Sequence, residues 1–134
     1  MKKGFIIDIE KESLENTHFR KVLYTAEHMQ LVLMSLLPGE DIGKEVHKSH
    51  DQFIRVEAGE GVAYINGAET PISDGSAIVI PAGAEHNVRN TGNTALKLYT
   101  LYAPPEHKDG TVHKTKEDAE RNHADDHFDG KISE

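Results

Sequence analysis

A segment punctuated by glycines constrains the fold of this chain more than any other feature. It spans residues 39–59, begins and ends with glycine, and contains Glu45, His47 and Gln52 as oxygen and nitrogen donors. Side chains two residues apart on a strand face the same side, so Glu45 and His47 can project together into one barrel interior. Gln52 follows a short reversal and falls on the next strand. The spacing therefore predicts two adjacent strands that carry metal-ligand residue types.

A second segment, residues 75–90, repeats this punctuation around one histidine. It begins with glycine, turns at Pro81-Ala-Gly83 and reaches His86 on a third strand. Glycine at such corners permits close backbone approach or a positive φ. Three or four donors from three strands leave coordination positions open, as a reactive metal site needs. Together the two segments predict one mononuclear metal site inside a small β-barrel.

Length and composition narrow the class of protein. The 134 residues predict a single domain over residues 1–134, with a barrel core at about 17–103 and a polar tail at 104–134. Without cysteine, the chain has neither disulfides nor thiolate metal sites. The net charge of −8 argues against nucleic acid as a partner, because phosphates would be repelled. We find no signal peptide and no apolar run of membrane-spanning length, and therefore expect a cytoplasmic protein that does not bind membranes.

The core is predicted to consist of short strands separated by turn signals, without a helix-period segment of any length. Asn66-Gly67 is a strong hairpin signal, and residues 96–102 alternate in hydrophobicity. This pattern predicts an all-β fold, an antiparallel sandwich or barrel. The expected strands are residues 18–24, 30–37, 52–57, 62–65, 77–80, 86–89 and 96–102.

Both ends of the chain depart from this strand pattern. Residues 5–9 are a short apolar stretch that we expect to form an edge strand or to exchange with a partner chain. Thr115-Lys-Glu-Asp118 has the form of a capping box and predicts a short helix to about His123. Residues 124–134 are polar, and we expect them to be frayed. Four histidines lie in the tail at spacings that suit no rigid metal site, and we expect them to be solvated: His107, His113, His123 and His127.

The two glycine-punctuated segments resemble the two motifs of the cupin superfamily. That family's first motif is Gly, five residues, His-x-His, three or four residues, Glu, six residues and Gly. Its second motif is Gly, five residues, Pro-x-Gly, two residues, His, three residues and Asn. The first is matched here in spacing throughout. The second is matched at every fixed position, which are Gly75, Pro81, Gly83, His86 and Asn90.

The resemblance implies a fold and a ligand set. The fold is a double-stranded β-helix (jelly-roll) barrel with one divalent metal, held by His47, His86 and one or both of Glu45 and Gln52. Glu45 stands where the family has its first histidine, and Gln52 where it has glutamate. Two histidines, one carboxylate and one amide keep a single negative charge, which suits Zn, Ni, Mn or Fe.

Alternatives remain for the ligand positions. Glu45 can instead be a rim carboxylate or a general base beside the metal, and Gln52 can orient His47 without binding. His50 shares parity with Gln52 and is a further ligand candidate, although a solvated histidine is the ordinary outcome in its polar loop. Five more side chains are candidates for substrate contacts, although each is more often a surface or interface residue: Arg55, Tyr64, Lys97, Tyr99 and Tyr102.

The implied partner is a small oxygen-bearing molecule, such as a carboxylate, dicarbonyl, enediol or sugar. As an enzyme, the chain would resemble a sugar-phosphate isomerase of the mannose-6-phosphate type or an iron-dependent dioxygenase. The competing hypothesis is a non-catalytic module that binds metal or a small ligand. Phe53 among charged residues on the outward-facing strand surface, which includes Arg55 and Glu57, suggests contact with a second subunit, and the resemblance implies a homodimer.

Overall fold

The computed structural model describes residues 1–134 and forms ten strands with two short α-helices. The helices are α1 (Ile9–Glu15) and α2 (Lys116–Arg121), and a 3-10 turn follows at His123–Asp125. The strands are β1 (Arg20–Thr25), β2 (Gln30–Leu36), β3 (Glu45–Val46), β4 (Asp51–Ala58), β5 (Glu60–Ile65), β6 (Ala68–Ser73), β7 (Ala77–Ile80), β8 (Glu85–Asn90), β9 (Leu96–Ala103) and β10 (Val112–His113). No helix is of a length and apolarity that would let it cross a membrane.

Two antiparallel sheets build the barrel, which confirms the all-β prediction. One has six strands in the order β10-β1-β2-β9-β4-β7, and the other has four in the order β3-β8-β5-β6. Alternate residues of β9 are buried from Leu96 to Tyr102, as the sequence pattern predicts. A core cluster of 17 buried hydrophobic residues draws on both sheets, for example Val32 and Val88. Burial of each valine, leucine, isoleucine, phenylalanine or methionine side chain contributes about 1.5–3 kcal/mol to folding.

The hairpin between β5 and β6 follows the prediction from Asn66-Gly67. Both residues have positive φ, 45° for Asn66 and 87° for Gly67, as a tight hairpin turn requires. Gly61 on β5 has a different role. A Cβ atom at Gly61 would lie 2.4 Å from the carbonyl oxygen of Arg89 on β8, so the two strands approach closely only because this side chain is absent.

The expected edge strand near the N-terminus does not form, and the chain instead enters α1. Asp8 caps this helix by accepting a hydrogen bond from the backbone N–H of Lys11 at 3.1 Å. The helix packs on β2, β4 and β9.

Glu57 on β4, expected on the outer surface, is buried, and its Oε1 lies 3.6 Å from Nε of Arg55.

The C-terminal tail packs on the barrel, so the prediction of a frayed end is wrong. The helix α2 forms as predicted, with the Thr115 side chain capping it. The buried side chain of Gln30 holds the tail, since its Nε2 donates to the carbonyl of His107 at 2.7 Å and its Oε1 accepts from the N–H of His107 at 3.0 Å. Farther on, Ser133 N–H donates to the carbonyl of Thr25 at 2.9 Å. These bonds to buried strands outweigh the polar composition that suggested disorder.

Candidate metal centre

The short strand β3 lies beside β8 and brings the two motif segments together. Glu45 and His86 are register partners across this pair of strands. The turn before β8 is tied to the end of β3, because the Gly83 N–H donates to the carbonyl of His47 at 2.9 Å. Gly83 has a φ of 89°, a conformation that favours glycine. The glycine turn thus places His86 next to Glu45 and His47.

Glu45 and His47 form a close pair, with Oε2 of Glu45 3.0 Å from Nε2 of His47. Burial by itself would raise the pKa of Glu45, but the hydrogen bond and charge of His47 outweigh burial and lower it. In the same way, burial opposes the charged form of His47, and the Glu45 carboxylate outweighs this and raises the pKa of His47. In the absence of metal, a proton on Nε2 of His47 would therefore be donated to the Glu45 carboxylate.

Two buried polar atoms near this pair have no protein partner. Nδ1 of His86 lies 3.1 Å from the carbonyl oxygen of Ala84, which fixes the proton on Nδ1 and leaves a lone pair on Nε2. Nε2 of His86 is buried without a partner. Gln52 Nε2 donates to Oγ1 of Thr100 at 3.0 Å, and Gln52 Oε1 is likewise buried and unpaired. Buried polar atoms are nearly always satisfied, so these two acceptors indicate a place for a cation or a donor.

The rings and strands place these donors at one end of the barrel. The centroids of the His47 and His86 rings are 5.2 Å apart, and the His47 and Tyr102 rings are 5.9 Å apart. Gln52 is the register partner of Tyr102. Of the five candidates for substrate contacts, only Tyr102 lies at this site, and burial raises its pKa. The other four lie elsewhere. Tyr64, for example, donates to Glu85, and the Tyr99 ring packs at a tilted angle against Phe53.

A second group of ligand atoms meets the opposite side of His47. Glu106 Oε2 lies 3.7 Å from Nδ1 of His47 and 3.3 Å from Nε2 of His50. His50 Nε2 also lies 3.0 Å from the carbonyl oxygen of Pro105. The His50 side chain is only 17% exposed, so it is part of the site and not the solvated loop histidine that its sequence context suggests. One ligand atom from each of His47, His50 and Glu106 lies within 4.8 Å of the others.

Glu106 is the residue of this site that the sequence did not point to. It follows Pro104-Pro105, which end the last strand and break the alternation that would otherwise predict the direction of its side chain. Glu106 does share parity with the inward-facing Tyr102. That parity was the only available signal, and two prolines made it unreliable.

The tail histidines separate into a buried pair and an exposed pair. His107 and His113 are 7% and 4% exposed, so the expectation of solvated side chains is wrong for them. Both face Asp126, whose Oδ2 lies 3.6 Å from Nδ1 of His107 and 4.0 Å from Nε2 of His113. They are buried because the tail folds back over the mouth of the barrel, a long-range contact that residue spacing does not encode.

His123 and His127 are exposed, as expected. Their rings are 5.3 Å apart, and with Asp126 they offer three ligand atoms within 4.8 Å. Asp126 is already shared with the two buried histidines and with Arg20. This outer group is therefore a weaker candidate than the donors inside the barrel.

The donors around His47 form two alternative sets. The inner set contains Nε2 of His47 with Glu45, His86 and Gln52, whereas the outer set contains Nδ1 of His47 with His50 and Glu106. One imidazole binds a given metal through one nitrogen, so His47 can serve only one set at a time. In the inner set, Glu106 would accept the Nδ1 proton of His47 and orient the ring, an arrangement common among metal-bound histidines.

Comparison with known proteins identifies the family to which this fold belongs. The sequence profile of the Cupin domain family matches residues 32–102, more than half of the chain. This chain is a cupin. The crystal structure of BH2720 from Bacillus halodurans matches the cupin with a TM-score of 0.87 and 48% identity, covering 89% of this chain and 95% of that one.

Two further relatives match by sequence. The uncharacterized protein YrkC of Bacillus subtilis (strain 168) is 50% identical to the cupin over 123 residues, which covers 87% of this chain and 66% of YrkC. The oxalate-binding protein of Thermotoga maritima is 36% identical over 68 residues, covering 51% of this chain and 56% of that protein. The cupin therefore spans just under two thirds of YrkC and little more than half of the oxalate-binding protein.

Proposed function

We propose that this cupin binds one divalent transition metal through the inner donor set, His47, His86, Glu45 and Gln52, and holds a small oxygen-bearing ligand on that metal. The observation that carries the proposal is the pair of buried acceptors without partners, Nε2 of His86 and Oε1 of Gln52. A cation bound between these acceptors would satisfy both, and burial of these groups without a partner is costly.

Three neighbouring contacts support the inner set over the outer one. The Ala84 carbonyl holds His86 in the tautomer whose Nε2 can bind metal. Thr100 turns the amide of Gln52 so that its oxygen, the better ligand for these metals, is free. Glu106 is placed to accept the Nδ1 proton of His47 when Nε2 is used as a ligand.

The donor chemistry fits Zn, Ni, Mn or Fe. Two imidazoles, one carboxylate and one amide oxygen give a mixed nitrogen and oxygen set without thiolate. A metal held there would polarise a bound carbonyl, carboxylate or hydroxyl oxygen as a Lewis acid. Where Glu45 is not itself a ligand, its carboxylate would lie beside the metal and would be placed to take a proton from the bound molecule as a general base.

We further propose that binding of the ligand serves catalysis, with two candidate reaction classes. A pair of histidines and one carboxylate is the ligand set of iron-dependent dioxygenases, which favours oxidation of a chelating substrate. The alternative is isomerisation of a sugar phosphate, with Glu45 as the base. Non-catalytic binding is the third case, and the name of the oxalate-binding relative is consistent with it.

Metal analysis after purification without added metal tests the proposal. We expect about one equivalent of a transition metal and a higher melting temperature when Zn, Ni, Mn or Fe is added. His47→Ala and His86→Ala should each abolish metal binding, whereas His50→Ala should retain it. His28→Ala removes an exposed histidine and is the matched control. Loss of the metal in His50→Ala together with retention in His86→Ala would assign it to the outer set.

Oxygen uptake separates the reaction classes. Protein loaded with Fe(II) should consume oxygen when a diketone or phenol is supplied if the cupin is a dioxygenase. Interconversion of mannose 6-phosphate and fructose 6-phosphate would instead support the isomerase. Metal binding with neither activity would leave the binding module as the function.

We retain the homodimer and the cytoplasmic location as proposals. Phe53 and Tyr99 lie together on the outer face of the six-stranded sheet, with ring centroids 6.3 Å apart, and this face suits contact with a second copy. Light scattering after gel filtration measures the mass directly, and Phe53→Lys should shift a dimer toward monomer.

A further inference from the structure

We infer that Arg20 anchors a carboxylate group of the ligand in the mouth of the barrel. The inference deepens the proposed function, because it names the chemistry of the molecule that would reach the metal. Arg20 is a charged side chain that the tail buries and that the protein pairs only in part.

The Arg20 side chain is 8% exposed, yet its contact with a carboxylate is long. Its Nη1 lies 3.3 Å from Nδ1 of His113 and 3.9 Å from Oδ2 of Asp126. That oxygen is also within 4.0 Å of His107 and His113, so one carboxylate serves three basic side chains. Buried guanidinium groups normally have hydrogen-bonded counter-charges, and the charge of Arg20 is only partly met by the protein.

One edge of the Arg20 guanidinium is free. Nε is buried without a partner, and Nη2 makes no hydrogen bond to the protein. These two N–H groups lie on the same edge and point in parallel, which is the fork that binds both oxygens of a carboxylate. The guanidinium carbon lies 5.3 Å from the centroid of the Phe19 ring, which supports the plane of the fork.

Arg20 lines a cavity of about 420 Å³ that also reaches Glu45 of the metal site. Lys44 and Lys116 add positive charge to its lining, against the carboxylates of Glu45 and Glu120. Because Lys116 is paired with Asp41, the charges of the lining are close to balanced, and the open fork of Arg20 is the feature that would select a carboxylate.

A ligand that binds both Arg20 and the metal has a planar carboxylate at one end and a second oxygen donor nearby. A hydroxyl, keto or second carboxylate oxygen would suit the metal. Inorganic phosphate also carries close to two negative charges near neutral pH, so comparing it with a dicarboxylate separates recognition of a carboxylate from attraction of any dianion.

Calorimetric titration of the metal-loaded cupin with malonate, malonamide and inorganic phosphate tests the inference. We expect malonate to bind at least about tenfold more tightly than malonamide, because charge-assisted hydrogen bonds to the fork are lost with the amide. Arg20→Lys should lower the affinity for malonate by about tenfold while metal content stays constant. Arg55→Lys, on the outer face of β4, is the matched control and should bind malonate like the wild type.

Equal affinity for malonate and malonamide, tighter binding of phosphate, or an unchanged affinity in Arg20→Lys would overturn the inference. If Arg20→Lys does not fold, as judged by near-ultraviolet circular dichroism, the ratio of malonate to malonamide affinity in metal-free wild type decides, because no metal then favours the carboxylate. Failure of the proposed function is seen separately, as absence of metal. In that case the rise in melting temperature that malonate produces in metal-free protein, with malonamide as the reference, still tests Arg20.

Discussion

Oε2 of Glu45 lies 3.0 Å from Nε2 of His47, and this contact joins a carboxylate that replaces a motif histidine to a histidine that the motif retains. The replacement brings negative charge to a strand where the family pattern has an imidazole. At the other altered position, Gln52 has no charge where the pattern has glutamate. The carboxylate has in effect moved from β4 to β3, and the charge of the donor set stays at one.

Restoring the motif glutamate should test this account of the charge. Gln52→Glu gives the inner set a second carboxylate, so we expect tighter metal binding and a larger rise in melting temperature on metal addition. Without metal, the buried carboxylate should destabilise the fold by about 1–3 kcal/mol. Differential scanning fluorimetry with and without metal measures both effects.

Gln30→Glu is the control for this substitution, because Gln30 is also buried but holds the tail and not the metal. It should destabilise the protein without a larger gain from metal. If metal restores Gln30→Glu and Gln52→Glu equally, Gln52 is not in the donor set.

Glu106→Gln should weaken metal binding without abolishing it. The carboxylate would orient His47 through Nδ1, and loss of such a partner typically costs about 10–100-fold in metal affinity. Competition with a chelating dye measures the dissociation constant. Glu120→Gln removes an equal charge from an exposed position in the same tail, and it should change the affinity by less than about twofold.

His113 should make the metal-free protein less stable as the pH falls through the mildly acidic range. Burial, with the charge of Arg20 as a second cause, lowers the pKa of His113, so the folded protein favours the neutral ring. The unfolded chain takes up the proton below about pH 6.5. The contribution of His113 is therefore fully present above that pH and is lost as the pH decreases toward the folded-state pKa, with a slope of at most about 1.4 kcal/mol per pH unit.

Urea unfolding between pH 7.5 and pH 5.0 measures this slope. In His113→Asn the side chain does not titrate, and its amide oxygen can still accept from Arg20. The stability of this variant should depend less steeply on pH than that of the wild type. Parallel curves for the two proteins would show that His113 does not titrate on unfolding in this range.

Gly61→Ala should destabilise the barrel because the strands β5 and β8 leave no room for a methyl group. The added Cβ would lie 2.4 Å from the Arg89 carbonyl oxygen, which is backbone and cannot move aside. We expect a loss of about 1–3 kcal/mol in the free energy of unfolding. Gly92→Ala is the matched control, since its Cβ would be no closer than 3.5 Å to any neighbour. Equal urea midpoints for the two variants would contradict the close approach.

Most of the barrel could be predicted from the sequence, because hydrophobic alternation along a strand and the residue types of tight turns are local signals. Residues 96–102 alternate as predicted, and Asn66-Gly67 forms the expected hairpin. The helix α1 was missed, since seven residues carry too short a pattern to reveal a helical period. Its one local signal was the N-cap Asp8, which resembles any other surface aspartate until the turn forms.

Only part of the candidate metal centre could be predicted from the sequence. Glu45, His47 and His86 were expected near one another, and the pairing of β3 with β8 brings them together. The position of Glu106 and the role of His50 depend on the return of the tail to the barrel mouth, a contact between residues 55 positions apart in the chain. Residue spacing carries no information about such a contact, so composition alone made the tail seem disordered.

The hydrogen bonds between the Gln30 side chain and the tail determine how the tail would detach from the barrel. Its amide serves as a substitute backbone, with one oxygen accepting from the N–H groups of both Glu106 and His107 and one nitrogen donating to the His107 carbonyl. Release of the tail would strand this amide in the interior, so the bonds should break together. Hydrogen exchange at Glu106, His107 and Phe128 should therefore show a single shared opening, and the same event would withdraw Glu106 from His47.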